Sequence, residues 1–360
     1  MGLLNSKYTW VKTISVLFVF VIFILLNNNL EAQNKIQKNI PKTYIANHAK
    51  DIINIDGLGN ESSWQNAEFS DLFIDIEGVK KPAYSTKFKM LWDESNIYFF
   101  AELEDPHIWA TLKKRDTIIF HNNDFEIFID PDGDSHNYYE FEFNALNTLW
   151  DLFLTKPYRE GNAVLNDWEA KGLKSAVYID GTLNNPIDTD KKWSIEIAIP
   201  LNVFKTSYFE NIVLKDHFWR MNFSRVFWEF QIENGKYQRK TNAEGKLLHE
   251  KNWVWSPQGV VAMHQPETWG YIYFSPSKTN NKIPFNIPND EHIKWYLYKL
   301  HKLIKNKNTD MNLIEAPTTI VNKIITPKFQ THESGYNIWV KSPFSGQKIL
   351  ITEDGKIMIK

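Results

Sequence analysis

Alternating apolar and polar positions dominate the chain between about residues 53 and 275. From residue 139 to residue 144, aromatic side chains occupy every odd position and polar side chains every even position, so the two sets lie on opposite faces of a strand. The segment 124–130 alternates in the same way and ends at a turn, Pro131-Asp132-Gly133. Such short strands recur with turns between them and little helical periodicity. This pattern predicts a mainly β fold, an antiparallel β-sandwich or jelly roll, over residues 53–275.

The pattern changes after residue 275. Residues 276–288 contain three prolines among polar residues, which is typical of a linker. From Asp290 onward, apolar residues recur at helical spacing, including Ile293, Leu297 and Leu300. Short apolar segments at 320–325, 336–340, 348–351 and 356–359 follow and predict strands. Residues 289–360 are therefore expected to form a small C-terminal α+β appendage.

The first 32 residues have the composition of a signal peptide. Lys7 and Lys12 precede an apolar run over residues 14–26, and Ala32 is the small residue before the predicted cleavage point. The apolar run is short for a membrane span, so no stable span is expected after cleavage, although an uncleaved anchor is the alternative. Residues 33–52 are then an N-terminal extension, and the protein is expected to be exported.

Composition narrows the location and the class of partner. The chain has no cysteine, and an exported protein without disulfides favours the periplasm or the cell surface of a bacterium. The formal net charge of -2 gives no support to nucleic-acid binding. Aromatic residues make up 15% of the chain, more than a core ordinarily needs, so some rings are expected to be exposed in a ligand groove.

The segment 102–151 holds most residues suited to binding a carbohydrate. A sugar has hydroxyl groups at its rim and C–H patches on its faces, so its site combines aromatic rings with carboxylates and amides. The ligand-binding candidates in this segment are Trp109, Phe120, Glu126, Glu140, Glu142 and Asn144. The alternative is that these polar strand faces are simply solvated.

Three alternating acids, Asp130, Asp132 and Asp134, surround Gly133 in the turn after the segment 124–130. Oxygen ligands that alternate through a turn suit Ca²⁺, so a structural calcium ion is the cofactor expected here. The twelfth position of the run is Phe141 and not glutamate, which excludes an EF-hand. A solvated acidic turn is the alternative.

Several short motifs occur together in a fixed order. They are Ile55-Asp56-Gly57, Leu91-Trp92-Asp93, Glu104-Asp105-Pro106, residues 124–130, residues 193–200, residues 220–225, Trp255-Ser256-Pro257 and Trp269-Gly270. With this ordered set, the chain resembles the carbohydrate-binding module family 9-like proteins. That resemblance implies a DOMON-like β-sandwich.

The resemblance also implies roles for particular residues. Sugars in that family lie in a clamp of two aromatic rings, with a carboxylate that matches Glu126 here. The first ring falls near Phe120, and the second falls at Met263 and His264, where a large ring is missing. Calcium sites are also common in the family.

We therefore expect an exported bacterial protein that binds a mono- or oligosaccharide without catalysis and supports polysaccharide breakdown or uptake. No catalytic residue is assigned. One alternative is a glycoside hydrolase, for which Glu140 and Glu142 would be the paired carboxylates. The other alternative is a structural role in the cell envelope with a protein partner.

Overall fold

The computed structural model describes residues 40–161, 164–205, 212–278, 284–306 and 313–360. The predicted signal peptide, residues 1–32, lies outside the described residues, as does most of the predicted extension before residue 40. Residues from Pro41 to Lys360 form one compact unit. Within the described residues, none of the helices has both the length and the apolar character needed to cross a membrane.

Thirteen strands form the main sheet. They are β1 (Thr43–His48), β2 (Ile74–Asp75), β3 (Thr86–Trp92), β4 (Asn96–Glu104), β5 (Asp124–Asp130), β6 (Tyr138–Asn144), β7 (Leu149–Leu154), β8 (Val164–Leu165), β9 (Lys174–Asp180), β10 (Lys192–Pro200), β11 (Phe218–Phe227), β14 (Lys251–Val254) and β15 (Gly270–Ser275). A separate hairpin contains β12 (Phe230–Glu233) and β13 (Lys236–Arg239). A short helix, α1 (Ser62–Asn66), precedes β2.

The main sheet folds over into two layers. Its strand order is β8-β7-β6-β5-β11-β15-β1-β3-β4-β10-β9, and β14 joins β11 to β2. Phe88 of β3 stacks on Phe223 of β11 at 3.9 Å between ring centroids, although two strands separate β3 from β11 in that order. Contact between such distant strands requires the sheet to turn back on itself. The mainly β, sandwich-like fold predicted from the alternation is confirmed.

Strand β1 differs from the other strands because its two pairings are both parallel. It lies between β15 and β3, so residues 43–48 join the sheet although the sequence pattern assigned them to an extension before residue 53. The alternation that identified the later strands is weak here. Thr43 is exposed, and only Tyr44 and Ala46 are buried. Pairing with distant strands, rather than local pattern, places β1 in the sheet.

The core between the layers is built from the apolar side of the alternating strands. Phe125, Ile127 and Ile129 of β5 lie in it together with the odd-numbered rings of β6. The same alternation turns the acidic residues of both strands toward the outer face of the sheet. This arrangement concentrates acidic side chains on one face.

The C-terminal part has its own apolar core. The helix α2 (Asn289–Lys305) buries Ile293, Leu297 and Leu300 against a four-stranded sheet. The remaining strands are β16 (Thr318–Ile320), β17 (Lys323–Ile325), β18 (Lys328–His332), β19 (Gly335–Lys341), β20 (Lys348–Thr352) and β21 (Ile357–Ile359). The predicted strand 320–325 is a tight hairpin instead, because Val321 and Asn322 adopt positive φ angles between β16 and β17.

Polar contacts join α2 to the outer face of the sandwich. Tyr271 of β15 donates a hydrogen bond to Glu291 at 2.8 Å. The carboxylate of Glu160 lies 3.2 Å from His301 and 2.8 Å from Lys305. The appendage is therefore held against the sandwich by buried acids paired with cationic groups.

Candidate functional site

A cavity of about 490 Å³ opens on the outer face of the sheet. Its volume is in the range of small-molecule sites. The floor is formed by every second residue of β5, β6 and β7, since the intervening residues point into the core. These floor residues are Glu126 and Phe128, Glu140 and Glu142, and Trp150 and Leu152.

Three glutamates lie side by side on this floor. Glu126 is directly opposite Glu142 in the β5–β6 register, and Glu140 is two residues from Glu142 on the same face. All three are less than 5% exposed. One oxygen of Glu142 accepts a hydrogen bond from the backbone N–H of Phe120 at 2.9 Å. Glu126 Oε2 and Glu140 Oε2 have no hydrogen-bond partner among the described residues, so both can accept donors from a ligand.

Burial governs the protonation of these acids. Desolvation raises the pKa of Glu126 to about 7. Desolvation, and then the charge of Glu126, raises the pKa of Glu140 well above its usual range. The pKa of Glu142 is well raised by the same desolvation and by the charges of Glu140 and Glu126. The floor therefore retains protons near neutral pH, and a protonated carboxyl group can both donate and accept hydrogen bonds.

Aromatic rings surround the acidic floor. Phe120 lies in a short 3-10 turn, Ile119–His121, and Trp150 projects from β7 beside the carboxylates. Tyr158, which is 46% exposed, meets the ring of His264 edge-on at 4.3 Å between centroids. These rings give the cavity flat apolar surfaces at its rim, and the glutamates provide acceptor groups at its base.

His264 is a neutral wall residue and not a cation. Its Nδ1 lies 2.9 Å from the hydroxyl of Tyr138, and its Nε2 lies 3.9 Å from Glu140. Burial, and then the positive charge of Arg159, lowers the pKa of His264 to about 3. The contact with Glu140 is therefore not an ion pair near neutral pH.

The cavity contains six of the eight residues predicted to bind ligand. They are Phe120, Glu126, Glu140, Glu142, Met263 and His264. Met263 and His264 come from the loop between β14 and β15 and form part of the cavity wall. Residues more than a hundred positions apart thus line one depression.

Trp109 and Asn144 lie outside the cavity lining. Trp109 is buried, with its ring stacked on Tyr237 at 6.4 Å between centroids. Asn144 ends β6, where its amide donates to Leu112 O at 2.8 Å and its carbonyl accepts from Thr148 N. Neither side chain is among the residues that line the ligand space, because Trp109 packs against β13 and Asn144 is bonded to neighbouring loop residues.

Several lining residues were absent from the predicted site, among them Trp150, Tyr158, Glu250 and Asn252. Trp150 pairs with Glu142 in the β6–β7 register, so extending the alternation across one more strand would have identified it. Tyr158 lies in a turn, and Glu250 and Asn252 lie at the start of β14. No local pattern marks those three positions as neighbours of Glu126.

The predicted metal ligands Asp130, Asp132 and Asp134 also come together, each offering an oxygen within 4.8 Å of the others. Asp130 is buried and accepts hydrogen bonds from Gly133 N and Ser135 N. Asp134 lies 3.2 Å from Lys356 of the appendage. The three carboxylates are suitable ligands for an oxygen-ligated cation. Lys356 already supplies one positive charge there, which would compete with such a cation.

The carboxylates of this acidic turn repel one another. Burial, and then the charges of Asp132 and Asp134, raises the pKa of Asp130 well above its usual range. Burial, and then Asp132, raises the pKa of Asp134 to about 6 despite the nearby Lys356. A further cation at this turn would relieve that repulsion.

Residues 55–213 match the family described as carbohydrate family 9 binding domain-like. The matched range includes the floor carboxylates of β5 and β6 and ends before Met263 and His264. A search of curated proteins finds no match to the chain.

Three solved structures are similar to part of the chain. A Bacteroides uniformis protein proposed to bind carbohydrate has 17% identity and a TM-score of 0.49, over 65% of this chain and 100% of its own. A carbohydrate binding module family 9 from Caldicellulosiruptor kristjanssonii, in complex with cellotriose, has 15% identity and a TM-score of 0.43, over 68% of this chain and 100% of its own. Its complex with glucose gives 15% identity and a TM-score of 0.42 over the same shares.

Proposed function

The chain is a carbohydrate-binding module family 9-like protein through residues 55–213, and on that premise we propose that its cavity binds a mono- or oligosaccharide without cleaving it. One observation carries the proposal. Buried carboxylate oxygens without partners form the base of a cavity whose walls carry aromatic rings. Hydroxyl groups of a pyranose would donate to those oxygens while its C–H faces contact Phe120, Trp150 or Tyr158.

Binding is favoured over hydrolysis by the protonation of the floor. A glycosidase needs one protonated carboxyl group and one carboxylate that stays ionised as base or nucleophile. Here Glu126, Glu140 and Glu142 all have raised pKa values, and the cause in each case is first burial. Among the described lining residues, no lysine or arginine lies beside the trio to keep one of its members ionised as a base.

Calorimetric titration against mono- and oligosaccharides of different composition tests the proposal. We expect a dissociation constant in the range of about 10–1000 µM, since water competes for each hydroxyl in an open site. Glu126→Ala and Phe120→Ala should each weaken binding at least about tenfold, which corresponds to one lost charge-assisted contact or one lost ring.

Tyr158 and Tyr178 provide a matched pair for the same titration. They are 46% and 42% exposed, but Tyr178 lies on β9 and is not among the residues that line the cavity. Tyr158→Ala should weaken binding, and Tyr178→Ala should leave it unchanged. Failure of every glycan to bind, or equal affinity in all variants, would exclude this cavity as a sugar site.

The proposal extends to the location and role of the protein. An exported protein at the periplasm or surface of a bacterium would use such a site to hold polysaccharide fragments during breakdown or uptake. The basic, apolar and small-residue order of residues 1–32 supports export. Cell fractionation with mass measurement of the mature chain tests it, and a mature protein starting at Met1 would contradict cleavage.

Calcium at the turn of Asp130, Asp132 and Asp134 is part of the same proposal. Mutual repulsion of the three carboxylates supports it, and the ion pair with Lys356 predicts that the affinity is low. Titration with Ca²⁺ should give a signal that Asp132→Asn abolishes and Lys356→Gln strengthens. If Ca²⁺ gives no signal with either the wild-type protein or Lys356→Gln, the turn does not bind calcium.

A further inference from the structure

The charged residues that line the cavity are all acidic. Glu126, Glu140 and Glu142 lie on the floor and Glu250 lies on the wall, whereas neither lysine nor arginine is among the described lining residues. Arg159 is nearby but is not among the lining residues, and its side chain is paired with Glu267 at 3.0 Å and with Glu160 at 3.5 Å. A ligand in this cavity therefore meets acidic groups that retain protons near neutral pH and can release them when a cation binds, and no lysine or arginine of the described lining competes for that place.

The floor also contains polar atoms that the protein itself leaves without partners. Glu126 Oε2 and Glu140 Oε2 belong to side chains that are 4% exposed, and each lacks a donor within the described part of the chain. Ser224, opposite Glu126 on β11, is fully buried, and its hydroxyl partly offsets the rise that burial causes in the pKa of Glu126. Ionising an unpaired buried carboxyl group is costly, and a cationic ligand would offset that cost in a way that a hydroxyl group cannot.

The faces of the aromatic rings also favour a positively charged ligand. Phe120, Phe128 and Trp150 line the cavity beside the carboxylates. The face of an aromatic ring is electron-rich and attracts cations. Carboxylates and ring faces therefore both favour a positively charged group at the centre of the cavity.

From these observations we infer that the ligand is an amino sugar that places a free ammonium group on the glutamate floor. This inference rests on the proposed carbohydrate-binding function. The ammonium group has three donors, enough to reach Glu126 and Glu140 together. The sugar ring would occupy the remaining volume and contact the aromatic walls, and uronic or sulfated sugars would be repelled.

A bare divalent cation fits the cavity less well. Asp124, Glu126 and Glu142 do bring carboxylate oxygens within 4.8 Å of one another. However, Asp124 is not among the residues that line the cavity, and one oxygen of Glu142 already accepts a hydrogen bond from Phe120 N. A volume of about 490 Å³ lined by rings is also far larger than a single ion needs.

Three disaccharides with the same β-1,4 linkage test the inference: cellobiose, the glucosamine disaccharide with free amines, and its fully N-acetylated form. In calorimetric titration at low salt and pH 7, the free amine should bind about tenfold more tightly than cellobiose, as one charge-assisted contact provides. Acetylation should remove the gain, because it removes the charge. Added salt should reduce the gain as well.

Glu140→Gln should reduce the affinity for the free amine by more than it reduces the affinity for cellobiose, since the amide cannot ionise but still accepts hydrogen bonds. Glu333→Gln, at an exposed position between β18 and β19, is the matched control and should change neither affinity. If cellobiose binds as well as the amine, the inference is wrong while carbohydrate binding stands. If none of the three binds, and other glycans also fail, both proposals fall.

A titration with Mn²⁺ or Ca²⁺ alone tests whether a metal ion, instead of an ammonium group, binds to the glutamate floor. Heat of binding that Glu126→Gln abolishes, together with no preference for the free amine, would replace the amino sugar with a metal ion. Absence of a Glu126-dependent metal signal supports the amino sugar when the amine preference is present.

Discussion

Two sets of buried glutamates on the outer face of the sandwich have opposite surroundings. Glu126 and Glu140 of the cavity each retain an oxygen without a partner. Glu160, by contrast, lies where the sandwich meets α2, a contact here called the docking face, and its side chain contacts both His301 and Lys305 of α2. The pKa of Glu126 is raised to about 7 by burial, whereas hydrogen bonds from His301 and Lys305 outweigh burial and lower the pKa of Glu160 to about 2.

The comparison separates acids that maintain the fold from acids that are available to a ligand. Burial alone penalises a carboxylate in either region. On the docking face, α2 and the turn after β7 supply the cations that offset this cost. On the cavity floor, the neighbouring strands supply only more acids, so compensation has to come from a proton or from a bound group.

The largest effect is expected from removing an acid of the docking face. Glu291 is 3% exposed and lies 3.8 Å from Arg220, which is itself 1% exposed. Glu291→Ala leaves that buried guanidinium without its facing carboxylate and should lower the free energy of unfolding by about 3 kcal/mol. Urea unfolding measures this change.

Glu333→Ala is the control, since Glu333 is exposed in the same C-terminal part. It should change the free energy of unfolding by less than about 0.5 kcal/mol. Equal small effects of both variants would mean that the docking face does not depend on paired acids.

For a cavity acid, we expect a substitution to increase the free energy of unfolding instead of lowering it. The pKa of Glu126 is raised by burial from 4.5 to about 7, so its contribution to stability is complete below pH 4.5 and is lost as the pH rises through about 7. Glu126→Gln should therefore increase the free energy of unfolding by about 1–3 kcal/mol at pH 8 and have little effect at pH 4. Urea unfolding at both pH values measures it.

Other acids facing Glu126 will shape that profile. They are Asp124 on the same strand, Glu140 and Glu142 on β6, and Glu250 before β14. Their mutual repulsion also increases as the pH rises, so the wild-type protein should lose stability over the same interval. For Glu160 the direction reverses: its lowered pKa stabilises the fold above about pH 4.5, and that contribution is lost as the pH falls toward 2. A Glu126→Gln variant less stable than wild type at pH 8 would contradict the comparison.

These contrasts also mark how far the sequence predicts the site. Period-two alternation was enough to place Glu126, Glu140 and Glu142 on one outer face, because β5 and β6 are neighbours in sequence and in the sheet. Alternation could not exclude Trp109, which packs against β13, or Asn144, which is bonded to Leu112 and Thr148. It also could not identify Tyr158, which reaches the cavity only through the path of a turn.

Contacts between distant segments are invisible to such patterns for a physical reason. Arg159 donates to His264 O at 3.3 Å and so connects the two segments that carry the rim rings. Its side chain also pairs with Glu267, which lies 2.9 Å from Lys302 of α2. A local pattern records which face a residue occupies, but not which remote cation will meet it. The docking face thus supports the wall of the cavity although α2 does not line it.

The smallest effect on ligand affinity should come from removing one contact between α2 and the segment that carries His264. Lys302 is 42% exposed at its side chain, and it contacts both Glu267 and Gln265 beside His264. Lys302→Met should weaken binding by about two- to threefold with an unchanged melting temperature, because a partly exposed ion pair adds little to stability. Lys302→Arg should restore the affinity, and Lys299→Met, at an exposed position one turn earlier on α2, should have no effect. Calorimetric titration of all three variants with the best-binding glycan measures this. Equal affinity of Lys302→Met and wild type would show that the acids paired with α2 hold the appendage in place without positioning the rim of the cavity.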